Sequence, residues 1–136
     1  DVLVGPAKLA GILLERVGEH VVIGIGVNLA HAPVIAGRET VALSAFGPAP
    51  DRDAFAQRLA GALTRELRLW RQAGLADVLR RWQERALPAG TALSVTQADG
   101  QPLCGIFSGL DPSGALLLRA ADGTCQTVYA GDVSLI

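Results

Sequence analysis

Lys8, the glycines near it and Asn28 are the residues whose types and spacing could do chemistry in this chain. A single lysine heads the apolar stretch "AKLAGILLERV" and stands three residues before Gly11. The next apolar run ends in Gly24-Ile-Gly-Val-Asn28, which reads as a turn. Two glycines separated by one residue let a backbone approach a ligand closely and offer it N–H groups. Asn28 can donate and accept at a strand end, where ligand sites often form. A cation facing such a backbone could stabilise negative charge that develops on a ligand. On periodicity alone, though, a lone lysine beside a turn is most often a solvated surface group. The glycine pair lacks the third glycine of a dinucleotide fingerprint and follows a hairpin, so a Rossmann reading is weak.

These residues need strands to position them. Residues 1–4 read as the end of a strand, Gly5-Pro6 as a turn, and 8–17 as a second strand. Gly18-Glu19 makes a hairpin connection, and His20-Val-Val-Ile-Gly-Ile runs back as a third strand. Its Val21-Val22-Ile23 run predicts burial on both faces. An irregular stretch covers 29–50. Asp51 is then a good N-cap and Asp53 adds negative charge to the first turn. Phe55, Leu59, Leu63, Leu67 and Trp70 recur at helical spacing, and Gly74 is expected to end that helix as a left-handed cap. Leu75, Val78, Leu79 and Trp82 predict a second helix over 75–86, stopped by Pro88. Trp70 and Trp82 are expected in the core, and Arg80-Arg81 on a solvated face. Five short apolar runs follow between 91 and 136, separated by Asp99-Gly100, Asp111-Pro-Ser-Gly114 and Asp122-Gly123. That pattern predicts a small β-barrel. The domain boundary falls near Pro88, giving 1–87 and 88–136.

Composition bounds the rest. The chain has 136 residues, half of them hydrophobic, enough for one core plus a small satellite domain. Twelve basic and 13 acidic residues give a formal charge of −1, with no basic patch dense enough for nucleic acid. No uninterrupted apolar run reaches membrane-spanning length, and no signal peptide is legible. Cys104 and Cys125 are the two cysteines, which suits reduced thiols in a cytoplasmic protein rather than a disulfide scaffold. His20 and His31 lack metal-ligand spacing, so no protein-bound metal is expected. Ser44 has no pattern of a nucleophile. The chain contains no methionine, so Asp1 reads as the start of a piece of something longer.

"DVLVGPAKLAGILLE" followed by "VVIGIGVNL" resembles the biotin protein ligases, and the similarity continues through the helix pair to "GIFSGLDPSGALLL…VYAGDVSLI". The resemblance implies an α+β fold: a mixed sheet with packed helices, part of a class II synthetase-like catalytic domain, followed by an SH3-like barrel. It implies ATP-dependent attachment of biotin, through biotinyl-5'-AMP, to a lysine of the biotin carboxyl carrier protein domain of acetyl-CoA carboxylase or a related carboxylase. Lys8 falls on the family's active-site lysine, contacting biotin and the forming acyl-phosphate. Gly11 and Leu13 fall on one strand of the biotin pocket, and Gly24, Ile25 and Gly26 on the facing strand. Asp1, Ile12 and Asn28 fall on the ATP side, Asp1 as the last residue of a Lys-Trp-Pro-Asn-Asp type motif that helps hold ATP and its Mg2+. The family's Gly-Arg-rich loop and the four residues before that aspartate have no counterpart here. A homodimer through an exposed edge strand is a further expectation. Two competing readings stand beside this one: a lipoate or octanoate ligase, and a non-catalytic fragment that binds partners through its barrel.

Overall fold

A computed structural model describes residues 1–96 and 100–136. Asp99 of the Asp99-Gly100 turn therefore lies outside the described residues. The chain divides into two compact units, 1–62 and 63–136. Among the described residues, no helix is long and apolar enough to cross a membrane.

The first unit is built on an antiparallel sheet of β1 (Val2–Val4), β2 (Ala7–Val17) and β3 (His20–Val27), in that order. Gly5 and Gly18 take positive φ, 58° and 61°, in the turns that join the three strands. β3 continues to Val27, so Gly24–Val27 is strand and not the expected turn. Val21, Val22 and Ile23 are 60%, 50% and 38% exposed, which overturns their expected burial on both faces. β1 pairs with β2 as far as Ala10, and Val21, Val22 and Ile23 pair with β2 at Arg16, Glu15 and Leu14. From Gly11 to Val17 the hairpin is a two-stranded ribbon. A loop with a short 3-10 turn at Leu43–Ala45 follows.

Helix α1 spans Arg52–Ala73. As expected, Asp51 caps it: its carboxylate accepts from the Ala54 N–H at 2.9 Å. Gly74 ends it at φ 80°, ψ −179°. That is not the left-handed cap expected but an extended region essentially open only to glycine. Helix α2 is shorter than predicted, Leu75–Gln83, because the next residues tighten into three-residue bonds, Arg85 N–H to Trp82 and Ala86 N–H to Gln83.

The second unit holds the five expected strands: β4 (Ala92–Thr96), β5 (Pro102–Leu110), β6 (Leu116–Arg119), β7 (Cys125–Val128) and β8 (Asp132–Leu135). They form one antiparallel sheet in the order β7-β6-β5-β4-β8. Alternation sends Leu93 and Val95 inward from β4, where they meet Phe107 and Leu118 in a buried cluster. Gly105 is required opposite Leu93, since a Cβ there would lie 2.7 Å from the Arg119 carbonyl oxygen. The aspartates of the turns have a mechanism: Asp111 accepts from the Ser113 hydroxyl and from the N–H groups of Ser113 and Ala115, and Asp122 from the hydroxyl and N–H of Thr124. Cys104 and Cys125 are free and exposed, on strands that β6 separates. The tryptophans are not core residues. Trp70 is 48% exposed, and Trp82, 49% exposed, lays its ring edge-on against Phe107 with centroids 6.4 Å apart.

Arg80 and Arg81 are ion-paired rather than merely solvated. Arg81 bridges Glu66 of α1 at 2.7 Å and Asp77 at 3.0 Å, while Arg80 pairs with Asp77 and Glu84. The hydrogen bond from Arg81 holds the Glu66 carboxyl below its usual value, and that from Arg80 does the same for Asp77. A carboxylate with a depressed pKa in the folded state adds stability above its unfolded pKa, and that stability is lost as pH falls through the folded value. Thermal unfolding followed from neutral pH down through the carboxylate range should therefore show Tm falling on acidification. Glu66→Gln should flatten part of that fall while lowering Tm only slightly at neutral pH, because the pairs are exposed. An unchanged acid limb in Glu66→Gln would show that the bridge carries no linkage.

Candidate functional site

The site begins with an irregularity in β2. Val2 pairs with Ala10 but Leu3 pairs with Lys8, so one extra residue, Leu9, is inserted in β2. In a regular strand successive residues face opposite sides, and Lys8 and Gly11, three apart, would be on different faces. The bulge re-aims Lys8. A Cβ on Gly11 would sit 3.2 Å from Lys8 Nζ and 3.4 Å from Asp1 Oδ1, so the missing side chain is the space that this pair fills.

Lys8 Nζ donates to Asp1 Oδ1 at 2.8 Å, and Arg38 Nη2 takes Asp1 Oδ2. Two cations on one carboxylate leave the trio with a net positive charge. Lys8 and Asp1 keep about a quarter of their side-chain surface open to solvent, 26% and 29%. Arg38 reaches this place by a tight turn at Ile35–Arg38, with Gly37 at φ 73°. Beyond the end of β3, the segment 39–41 takes its place beside β2: the Lys8 N–H donates to Glu39 and the Val41 N–H to the Lys8 carbonyl, at 2.9 and 3.0 Å.

A cleft of about 410 Å³ opens here, lined by Lys8, Gly11, Gly26 and Asn28 together with Pro33, Ile35 and Thr40. Gly26 stands directly opposite Gly11, and a Cβ on it would meet nothing within 4 Å. Its bareness is not demanded by protein packing. Asn28 closes the strand end, its amide nitrogen donating to the carbonyls of Lys8 and Val41 at 3.3 and 3.0 Å. A slightly larger hollow, about 450 Å³, lies around Arg80, Arg81 and Glu84, where the arginines are already ion-paired. We place the candidate site at the first cleft, which has a cation beside bare backbone.

Of the residues singled out from the sequence, Lys8, Gly11, Gly26 and Asn28 share the cleft, and Asp1 joins them through Lys8. Leu13 and Gly24 form the next same-face pair along the ribbon, outside the cleft lining, and Leu13 is 62% exposed. Ile12 and Ile25 pair with each other between those two, on the opposite face. Arg38, Thr40 and Ile35 were not foreseen, because the irregular stretch 29–50 has no periodicity to read. The available signal was that Arg38 is its one strongly basic residue.

Magnesium commonly uses one or two carboxylates plus substrate phosphates. Asp1 is the one carboxylate at this place and both its oxygens are held by cations. Among the described residues no three acidic, histidine or cysteine side chains gather anywhere. The arrangement does not fit a resident metal, and its chemistry is that of a cation beside exposed backbone.

The two glycines should answer differently to a methyl group. Gly11→Ala presses on the mobile end of Lys8, so we expect little loss of Tm but a displaced ammonium. Gly26→Ala should leave Lys8 in place and fill ligand space. Nuclear Overhauser contacts between Lys8 and residue 11, with Tm for each variant, would check this. A Lys8 position unaltered in Gly11→Ala would sink the argument from space.

Comparison with known proteins accords with the fold. The family described as "Biotin protein ligase C terminal domain" matches residues 94–136. A biotin–[acetyl-CoA-carboxylase] ligase from Mycobacterium tuberculosis is 36% identical over 98% of this chain and 50% of its own length. One from Paracoccus denitrificans is 36% identical, over 98% of the chain and 59% of itself. The bifunctional ligase/repressor BirA of Escherichia coli is 33% identical, over 99% and 44%. The chain thus spans about half the length of these relatives. The apo biotin protein ligase of Aquifex aeolicus shares the fold, with a TM-score of 0.85 at 19% identity over 100% of this chain and 62% of that one. Antiparallel sheets with helices and an SH3-like closing unit agree with these matches: over nearly its whole length the chain is similar to the C-terminal part of biotin protein ligases.

Proposed function

We propose that this chain supplies part of the site at which ATP activates biotin, and that the protein transfers biotin to a lysine of the biotin carboxyl carrier protein domain of acetyl-CoA carboxylase or a related carboxylase. An oxygen of the biotin carboxylate attacks the α-phosphorus of ATP, the bond to pyrophosphate breaks, and biotinyl-5'-AMP forms. The acceptor's ε-amine then attacks the acyl carbon and AMP leaves with the bonding pair. Support for biotin and ATP as ligands comes from the family and from an Aquifex aeolicus ligase of the same fold described in complex with both.

The observation that carries the reading is Lys8, held by Asp1 beside the bare backbone of Gly11 and Gly26. The first step brings two anions together, and a fixed ammonium offsets their repulsion and stabilises charge as it develops. Lys8 is the only lysine of the chain, against 11 arginines (12 basic residues less one). A compact ammonium fits the space beside Gly11, whereas a planar guanidinium needs a wider one. In this reading Lys8, Gly11, Leu13, Gly24, Ile25 and Gly26 serve biotin, and Asp1, Ile12 and Asn28 serve ATP. Residues 88–136 form the closing domain.

Two outcomes test it. In a full-length ligase carrying this chain, Lys8→Ala should slow single-turnover biotinyl-AMP formation by about a hundredfold or more, as for removal of one transition-state charge partner. A near-normal rate would return Lys8 to the solvated surface. The 136-residue chain by itself should make no appreciable adenylate, because its sequence has no Gly-Arg-rich loop and its cleft is open. Positioning and water exclusion would be lost together. The purified chain can be incubated with biotin, ATP, magnesium and an acceptor domain, and the acceptor weighed by mass spectrometry. A robust gain in mass would show that the catalytic apparatus lies within these residues.

A further inference from the structure

We infer that Arg38 is a second phosphate-binding cation of the site, taking the part of ATP beyond the reacting phosphorus; the inference rests on the reading of Lys8 and ATP above. Its place is set by backbone and not by the ion pair alone. The Arg38 N–H donates to the Ile35 carbonyl at 3.2 Å, and Gly37 at φ 73° lets that turn close. Thr40 Oγ1 donates to the Pro33 carbonyl at 2.6 Å, which ties the two ends of the same segment. The next residue, Glu39, accepts from the N–H of Lys8 itself at 2.9 Å. The backbone of Arg38 is therefore held beside Lys8, and its side chain reaches the Asp1 oxygen that Lys8 does not take.

The ion pair by itself does not account for this cation. Lys8 already balances the charge of Asp1, and a second positive group on the same carboxylate adds repulsion from Lys8. The pair is also too exposed to hold much of the fold, with 40% of the Arg38 side chain open to solvent. A guanidinium carries five N–H donors in a planar fork that fits phosphate oxygens. One of them meets Asp1, and among the described residues the others meet no acceptor. Arg38 lies outside the cleft lining, across Asp1 from Lys8. An anion that begins at Lys8 and extends past Asp1 meets it there, and of the two substrates only ATP continues as a chain of phosphates. Without Arg38, Lys8 and Asp1 together offer that chain no net charge. With it, the place is positive before the nucleotide arrives.

Calorimetry on Arg38→Gln and Arg38→Lys in the full-length ligase tests this, with biotinol, whose alcohol replaces the carboxylate of biotin, filling the biotin pocket so that nothing reacts. Arg38→Gln should weaken ATP about tenfold, as for loss of one exposed charge-assisted contact, while the Kd for AMP stays within about twofold. Arg38→Lys should recover part of the loss, since it returns the charge without the fork. Equal weakening of ATP and AMP, or ATP binding left as it was, would overturn the inference. So would a fall in Tm with loss of every ligand, which would make Arg38 structural. A second measurement needs no catalysis. In the 136-residue chain, tripolyphosphate should shift the Arg38 Nε–H resonance ahead of that of Arg52, which pairs with Asp53 on the surface. The shift should be kept in Asp1→Asn, and its disappearance there would show that Arg38 acts only through that carboxylate, against the inference. If Lys8→Ala alone cost nothing in adenylate formation, the reading of Lys8 would fail, and the titration would still decide whether Arg38 binds phosphate.

Discussion

One extra residue in β2 sets the geometry of everything near Lys8. Leu9 breaks the alternation of the strand, and the consequences spread in two directions. On the side-chain level, Lys8 comes to the face of Gly11 and meets Asp1. On the backbone level, two carbonyls crowd one edge, and Asn28 with the 39–41 segment must supply donors for them. The loop that brings Val41 to the bulge is also the loop that carries Arg38 to Asp1. The trio of charges and the strand-end hydrogen bonds are therefore two results of a single insertion.

The electrostatics of that trio suit an anion-handling site better than a stability role. Lys8 and Asp1 are both partly solvated, so their attraction is screened and adds little to folding. With Asp1 as the sole partner, the charge of Lys8 would be neutralised locally. Arg38 draws on the other carboxylate oxygen, and the group as a whole keeps one positive charge for an incoming anion. A buried pair would have gained Coulomb energy but paid more for desolvation, and would have had no open face.

The hairpin, the helix cap and the barrel strands were legible because each has a local cause. Gly18 needs a positive φ, Asp51 can reach an N–H three residues on, and Leu93 and Val95 alternate with Ser94. The family resemblance pointed to Lys8, Gly11, Gly26 and Asn28 for the same reason, since a motif is a local string. What was not legible depends on partners distant in sequence. Arg38 is 37 positions from the carboxylate it binds, in a stretch without period. The burial expected for Val21–Ile23 was not found, because an apolar run says nothing of what covers its two faces. The helical faces of Trp70 and Trp82 were legible, but an amphipathic stripe alone does not say how deeply a ring is covered.

The two units are held together by different forces, and this bears on how each tolerates change. In the second, Leu93, Val95, Phe107 and Leu118 form a closed apolar cluster, so its geometry is enforced by packing density. In the first, Ala10 and Ala42 are the buried hydrophobics among the described residues, and neither is large enough to fix a neighbour's rotamer. The cleft is shaped instead by directional bonds: the Lys8, Asn28 and Val41 carbonyls with their donors, and the Asp1 carboxylate with its two cations. An apolar cluster resists a change of volume and also an unpaired polar group of equal shape. A hydrogen-bond lattice with open space beside it bears an added methyl at Gly26 but not an exchange of amide for carboxylate at Asn28, where two carbonyls need a donor. The first unit is therefore the more sensitive of the two to the identity of its donors and acceptors, and the second to the volume of its apolar side chains.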